Sequence, residues 1–197
     1  MTTLLLPGLH GSGPGHWQRR WAEEVEDTLL VEQADWDHPD LAAWLDRAEA
    51  AVEANPGAFL VGHSLGAVLA VHLLTRRPDL PVAGLLLVAP ADVDRHGRRR
   101  PPVAGFAPLP IAPLGAPAIV AASRDDPWMS FVRASVLADM WEAALVDLGR
   151  VGHVNAESGL GLWPAGLDLV ERLRRMGGGR VFRPAAPAFT TGPTGSW

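Results

Sequence analysis

Cysteine, lysine and tyrosine are all absent from these 197 residues. Without cysteine there can be no disulfide, no thiolate-held zinc, no iron–sulfur cluster and no thiol nucleophile. Without lysine there is no P-loop lysine, no Schiff base and no Ser-x-x-Lys site. Without tyrosine no phenol can donate a proton. Long apolar runs are missing too: none reaches the roughly 18 residues of a membrane span, so no membrane association is expected. The opening Met-Thr-Thr-Leu-Leu-Leu-Pro-Gly has no basic segment and too short an apolar run for a secretion signal. The cytoplasm is therefore the expected location. Basic charge is scarce: 17 arginines face 22 acidic residues, a net charge of −5. That balance argues against nucleic acid and anionic membrane as partners. The arginines at 95, 98, 99 and 100 read as a solvated loop. No H-E-x-x-H or H-x-H spacing occurs, so no metal site is expected.

Apolar residues make up 48% of the chain and charged residues 20%, the balance of a globular protein, and the length fits one domain. Short apolar runs at 4–6, 29–31, 58–61, 84–89 and 117–122, with the mainly apolar 144–148, read as strands covered on both faces. Between them lie stretches of helical periodicity. Trp17, Trp21 and Val25 mark one over 17–26; Leu41, Trp44, Leu45, Ala48 and Val52 mark another that starts at Pro39. Further helices are predicted over 67–76, 131–141 and 163–175. Residues 91–114, rich in proline and arginine, read as a long loop or cap. Alternating strands and helices predict an α/β fold with a mainly parallel sheet and helices on both faces. Residues 1–176 would form that domain. Residues 177–197, dominated by Gly, Pro, Thr and Ala, read as a flexible tail. Most of the eight tryptophans sit at helical spacing and read as core.

Gly62-His63-Ser64-Leu65-Gly66 follows the third strand and opens a helix. This G-x-S-x-G placement suits a nucleophile. A serine on a sharp strand-to-helix turn leaves no room for side chains two residues before and after it, and Gly62 and Gly66 provide none. A helix beginning there aims free N–H groups at an incoming anion. A serine nucleophile needs a base and a group to orient it, following in the order Ser, acid, His. Asp125-Asp126-Pro127 comes just after the strand at 117–122, and Gly152-His153 just after the strand at 144–148. Both fall at C-terminal strand ends, where sites in parallel sheets gather.

Asp125 and Asp126 are the candidate acids, and only one of the two can orient the base. His153 is the expected base, being the one histidine that follows the acid. His63 is expected to point away from Ser64, His72 to be packed or half-exposed, His96 to be solvated, and His38 to lie near a helix start. His10 and His16 flank the glycine-rich loop after the first strand, and His10 is a candidate pocket residue, as is Trp128. That loop is expected to supply the Leu9 N–H, which with the Leu65 N–H would form an oxyanion hole. Gly11, Gly13 and Gly15 in the same loop partly resemble a dinucleotide fingerprint. The third required glycine would fall on His16, and Pro14 removes an N–H, so nucleotide binding is set aside.

These pieces together resemble the α/β-hydrolase superfamily, and within it the small serine hydrolases of the RBBP9/YdeN family. The resemblance rests on Pro7-Gly8-Leu9-His10-Gly11-Ser12, His16-Trp17, the 33–44 segment with Trp36, Pro39 and Trp44, and Gly62–Gly66. It extends to Asp125-Asp126-Pro127, Gly152-His153-Val154-Asn155 and Ser158-Gly159. It implies a compact core with little or no lid, a triad of Ser64, Asp126 and His153, and hydrolysis of a small-molecule ester-type substrate without a cofactor. A non-catalytic binding protein on the same fold is the alternative; an inert Ser64 in folded protein would favour it.

Overall fold

The computed structural model describes residues 1–97 and 101–177. Its elements run in chain order β1 (Thr3–Leu6), α1 (Trp17–Glu24), β2 (Thr28–Leu30), α2 (Leu41–Ala54), β3 (Ala58–His63), α3 (Leu65–Arg76), β4 (Val82–Val88), α4 (Val93–His96), α5 (Pro101–Ala104), β5 (Ala118–Ala122), α6 (Phe131–Met140), β6 (Ala144–Asp147) and α7 (Pro164–Gly177), with a 3-10 turn at Ala156–Ser158 before the last helix. The six strands form one sheet in the order β2-β1-β3-β4-β5-β6, and every neighbouring pair is parallel. None of the helices described is long and apolar enough to cross a membrane.

The period-2 alternation of strand side chains builds two cores from one sheet. Leu4, Leu6, Leu60, Leu85, Leu87 and Val120 face the layer that holds Trp44 of α2, Leu69 and Leu73 of α3, and Leu137 of α6. Leu5, Phe59, Val61, Leu86, Val88 and Ile119 face the opposite layer, with Trp17 and Trp21 of α1, Trp163, and Leu173 of α7. Two-sided burial explains why β1, β3, β4 and β5 are apolar without alternation. The edge strands β2 and β6, expected to be covered on both faces, are only partly buried because each has a neighbour on one side only. The sheet grows from β1 first to β2 and then back across to β3. The loops after β1 and β3 therefore diverge at the switch point, where α/β sheets open a crevice at their C-terminal edge.

Local chemistry moves several boundaries. α2 starts at Leu41 rather than Pro39, because Asp40 is the N-cap and its carboxylate accepts from the Ala43 N–H at 2.8 Å. α7 starts at Pro164, whose fixed φ and missing N–H suit the first helical position, and it extends past the expected Arg175 end. The described residues within 91–114 form more than a loop. They contain α4 and α5, and they bury Val93, Val103, Phe106, Leu109 and Leu114. His72 of α3, packed as expected, bonds the Phe106 carbonyl through Nε2 at 2.8 Å and ties this segment to the core. Arg98–Arg100 and the expected tail beyond residue 177 lie outside the described residues.

Candidate active site

At the end of β3 the chain must reverse into α3 within one residue. Ser64 takes that turn with φ 52° and ψ −117°, a positive φ that non-glycine residues seldom adopt. A Cβ on Gly62 would come within 2.6 Å of Ala67 Cα, and one on Gly66 within 1.9 Å of the Leu6 carbonyl oxygen. The second clash is with backbone at the end of β1, which cannot swing aside. Gly66→Ala is therefore expected to lower the melting temperature by at least about 10 °C, or to prevent recovery of folded protein, as measured by thermal denaturation. Gly8 plays the matching role across the gap. A Cβ there would meet Ser64 Cβ at 3.0 Å and Leu65 N at 3.2 Å, so its absence lets the loop after β1 lie against the start of α3.

The structure brings Ser64, His153 and Asp126 together. Ser64 Oγ lies 2.8 Å from His153 Nε2, and His153 Nδ1 lies 2.9 Å from both carboxylate oxygens of Asp126. The Asp126 side chain is 2% exposed and that of His153 10%. Asp126 Oδ1 also accepts from the Trp128 N–H at 2.8 Å, which holds the carboxylate in place. A carboxylate facing Nδ1 favours the tautomer that carries its proton there and leaves Nε2 free to accept from the serine hydroxyl. Asp125 turns the other way: it accepts from the Gly152 N–H at 2.9 Å and from Ser123 Oγ at 2.8 Å. Those bonds, the Gly152 one first, hold its carboxyl below the usual carboxylate range.

Leu9 and Leu65 line the same cavity as Ser64, and among the described residues neither backbone N–H is bonded to a protein acceptor. The cavity measures about 380 Å³ and is lined among others by His10, His16, Asn155, Val93, Val103 and Trp128. His10 stands at the edge with an exposed ring paired to Asp37 at 2.7 Å. Trp128 forms a wall, edge-on to both His96 and His153. His38 is exposed beside Asp35 just before α2.

One histidine departs from expectation, and a second makes a contact that was not expected. His96 is not solvated: Asp92 caps α4, and the helix carries His96 against Trp128, where it lines the cavity with a buried Nε2. His63 is no bystander beside the serine. It is 5% exposed, lines the same cavity and donates from Nε2 to the His153 carbonyl at 2.8 Å. Burial, then the neighbouring His16 and His153, push it well below the ordinary histidine range.

His16 and Gln18 were also missed as supports. His16 caps α1, accepting from the Gln18 N–H through Nδ1; burial, followed by His153, pushes it down to about 4. Gln18, fully buried, donates to the carbonyls of Leu6 and Val61 and accepts from Ser12 Oγ at 2.7 Å. It thus ties together the ends of β1 and β3 and the glycine-rich loop. The signal available for both was a polar pair beside tryptophan at a helix start, a position where capping is common. Among the described residues no group of three or more His, Asp or Glu could hold a metal ion.

Residues 3–172 match the serine hydrolase family. The chain belongs to that family. A YdeN-like hydrolase from Pectobacterium atrosepticum superposes on it with a TM-score of 0.80 at 33% identity, over 89% of this chain and 91% of that one. The ydeN gene product of B. subtilis gives a TM-score of 0.72 at 21% identity, over 87% and 97% of the two chains. Est1E from Butyrivibrio proteoclasticus, solved with ferulic acid, gives 0.64 at 13%, over 89% and 87%. The last two identities carry the fold alone. Among curated proteins none matches the chain in sequence. The protein is thus an α/β hydrolase of the YdeN type, a serine hydrolase on an open parallel sheet.

Proposed function

We propose that this serine hydrolase cleaves small carboxylic esters through a covalent acyl-enzyme formed on Ser64. The observation that carries the reading is the continuous contact from Ser64 Oγ through the His153 ring to Asp126, with links of 2.8 and 2.9 Å. His153 Nε2 takes the hydroxyl proton as Oγ attacks the ester carbonyl, and Asp126 stabilises the imidazolium that results. The Leu9 and Leu65 N–H groups donate to the developing oxyanion, a contribution worth about 10²–10³ in rate per donor at comparable sites. His153 then passes its proton to the leaving alcohol. In the second half, His153 takes a proton from water, the resulting hydroxide attacks the acyl carbon, and the proton returns to Ser64 as the carboxylic acid leaves. No cofactor enters this sequence.

The cavity supports a small substrate. A volume of about 380 Å³ is at the lower end for ligand pockets. Leu65, Val93, Val103 and Trp128 give it apolar walls for a short acyl or alcohol chain. With p-nitrophenyl esters of graded acyl length, kcat/KM is expected to fall by roughly tenfold or more between the butyrate and the dodecanoate. Turnover of none of these esters by folded protein would overturn the ester reading, and rising activity toward the longest chain would overturn the small-pocket reading.

A further inference from the structure

We propose that His63 is a positioning residue that holds the general base at its working distance from the nucleophile, by donating its Nε2–H to the backbone carbonyl of His153. The inference rests on the roles given above to Ser64 and His153. Two adjacent residues of the elbow, 63 and 64, each bond one residue of the base loop. Ser64 Oγ meets the His153 ring at 2.8 Å, and His63 Nε2 meets the His153 carbonyl at 2.8 Å. The ring and the backbone of the base are thus both referred to the same turn.

The alternation of β3 explains why this residue can reach. Phe59 and Val61 project into the layer that holds Trp17, Trp163 and Val154, and His63 shares their parity. There its ring stacks edge-on with His16 at 4.8 Å between centroids and lies against the His153 ring at 5.0 Å. Burial keeps His63 neutral, so it presents an N–H to the carbonyl without placing a positive charge beside the base.

The base loop needs such a tie. Gly152 has φ 65°, and Val154 has φ 54°, a left-handed conformation that β-branched residues rarely adopt. A backbone held in that state persists only where its surroundings over-determine it. Val154 is fully buried, and its carbonyl accepts from Trp17 Nε1 at 2.8 Å. The peptide groups on either side of Val154 are therefore held by His63 and by Trp17. Of the two, His63 is the one attached to the nucleophile turn.

The test separates the donor from the bulk. His63→Gln keeps an N–H at about the reach of Nε2, His63→Met has similar length without it, and His63→Phe keeps the ring without it. With p-nitrophenyl acetate, His63→Gln is expected to stay within about threefold of the parent kcat. The Met and Phe variants are expected to lose about thirtyfold or more in kcat while KM changes less than about twofold, because a misplaced base slows chemistry rather than binding. One folded donor-less variant suffices. Equal activity of the Gln and Met or Phe variants, or a loss confined to KM, would overturn the proposal, as would failure of both donor-less variants to fold. Ser64→Ala run alongside distinguishes the two levels: if it stays active the catalytic reading itself fails, whereas a dead Ser64→Ala beside a fully active His63→Met removes only the role of His63.

Discussion

Ser64→Ala is expected to fold as the parent does and to hydrolyse esters about ten thousandfold more slowly or worse. Both halves follow from the same turn. The Ser64 side chain makes no capping bond to α3, and among the described residues its one hydrogen bond is to His153. Removing it therefore takes little from stability. The strained backbone is held by other groups: the Ser64 N–H donates to the Val88 carbonyl at 3.0 Å, and Gly62 and Gly66 leave the space the turn requires. What the variant loses is the nucleophile. What it keeps is the cavity and the Leu9 and Leu65 N–H groups, the proposed source of any residual rate. Near-parental kcat/KM in purified Ser64→Ala, with an unchanged melting temperature, would contradict the assignment.

Asp126→Asn should nearly abolish turnover, by about four orders of magnitude, whereas Asp125→Asn should retain at least about a tenth of the parent kcat. Asn in place of Asp126 keeps the shape but can turn an NH₂ toward His153 Nδ1, which favours the tautomer with Nε2 protonated and unable to accept from Ser64. Asp125 does different work. It accepts from the Gly152 N–H and from Ser123, at 36% side-chain exposure, and an asparagine carbonyl can still accept from Gly152. Its loss is comparable to that of a surface cap, about 1 kcal/mol. Measuring kcat for the two purified variants decides the register: if Asp125→Asn is the inactive one, the acid has been assigned one residue too late.

Much of the frame could be read from the residue pattern because it depends on local or strongly periodic features. Six apolar runs separated by helical spacing correspond to six strands, and the G-x-S-x-G segment lies between β3 and α3. The choice of Asp126 over Asp125 rests on the resemblance to the family's turn, where a small residue, here Ser123, stands three positions before the acid; in the structure Ser123 bonds Asp125, and Asp126 faces His153. The unread part is tertiary. His63 gains its role from a carbonyl 90 residues away, and Trp17 from one 137 residues away. No spacing rule reaches that far. His96 looked solvated because arginines surround it in the chain; the Asp92 cap that folds it inward acts through a four-residue helix too short to show periodicity. Residues 91–114 were obscured for the same reason, since proline density concealed the buried Val103, Phe106 and Leu109.

The central claim is that Ser64 is the covalent nucleophile, and a fluorophosphonate probe tests it directly. Folded protein treated with the probe should gain one adduct per chain, mapped by peptide mass spectrometry to Ser64, with ester hydrolysis lost in step with labelling. An enzyme that remains fully active with Ser64 modified, or that is inactivated with the adduct on another residue, would contradict it.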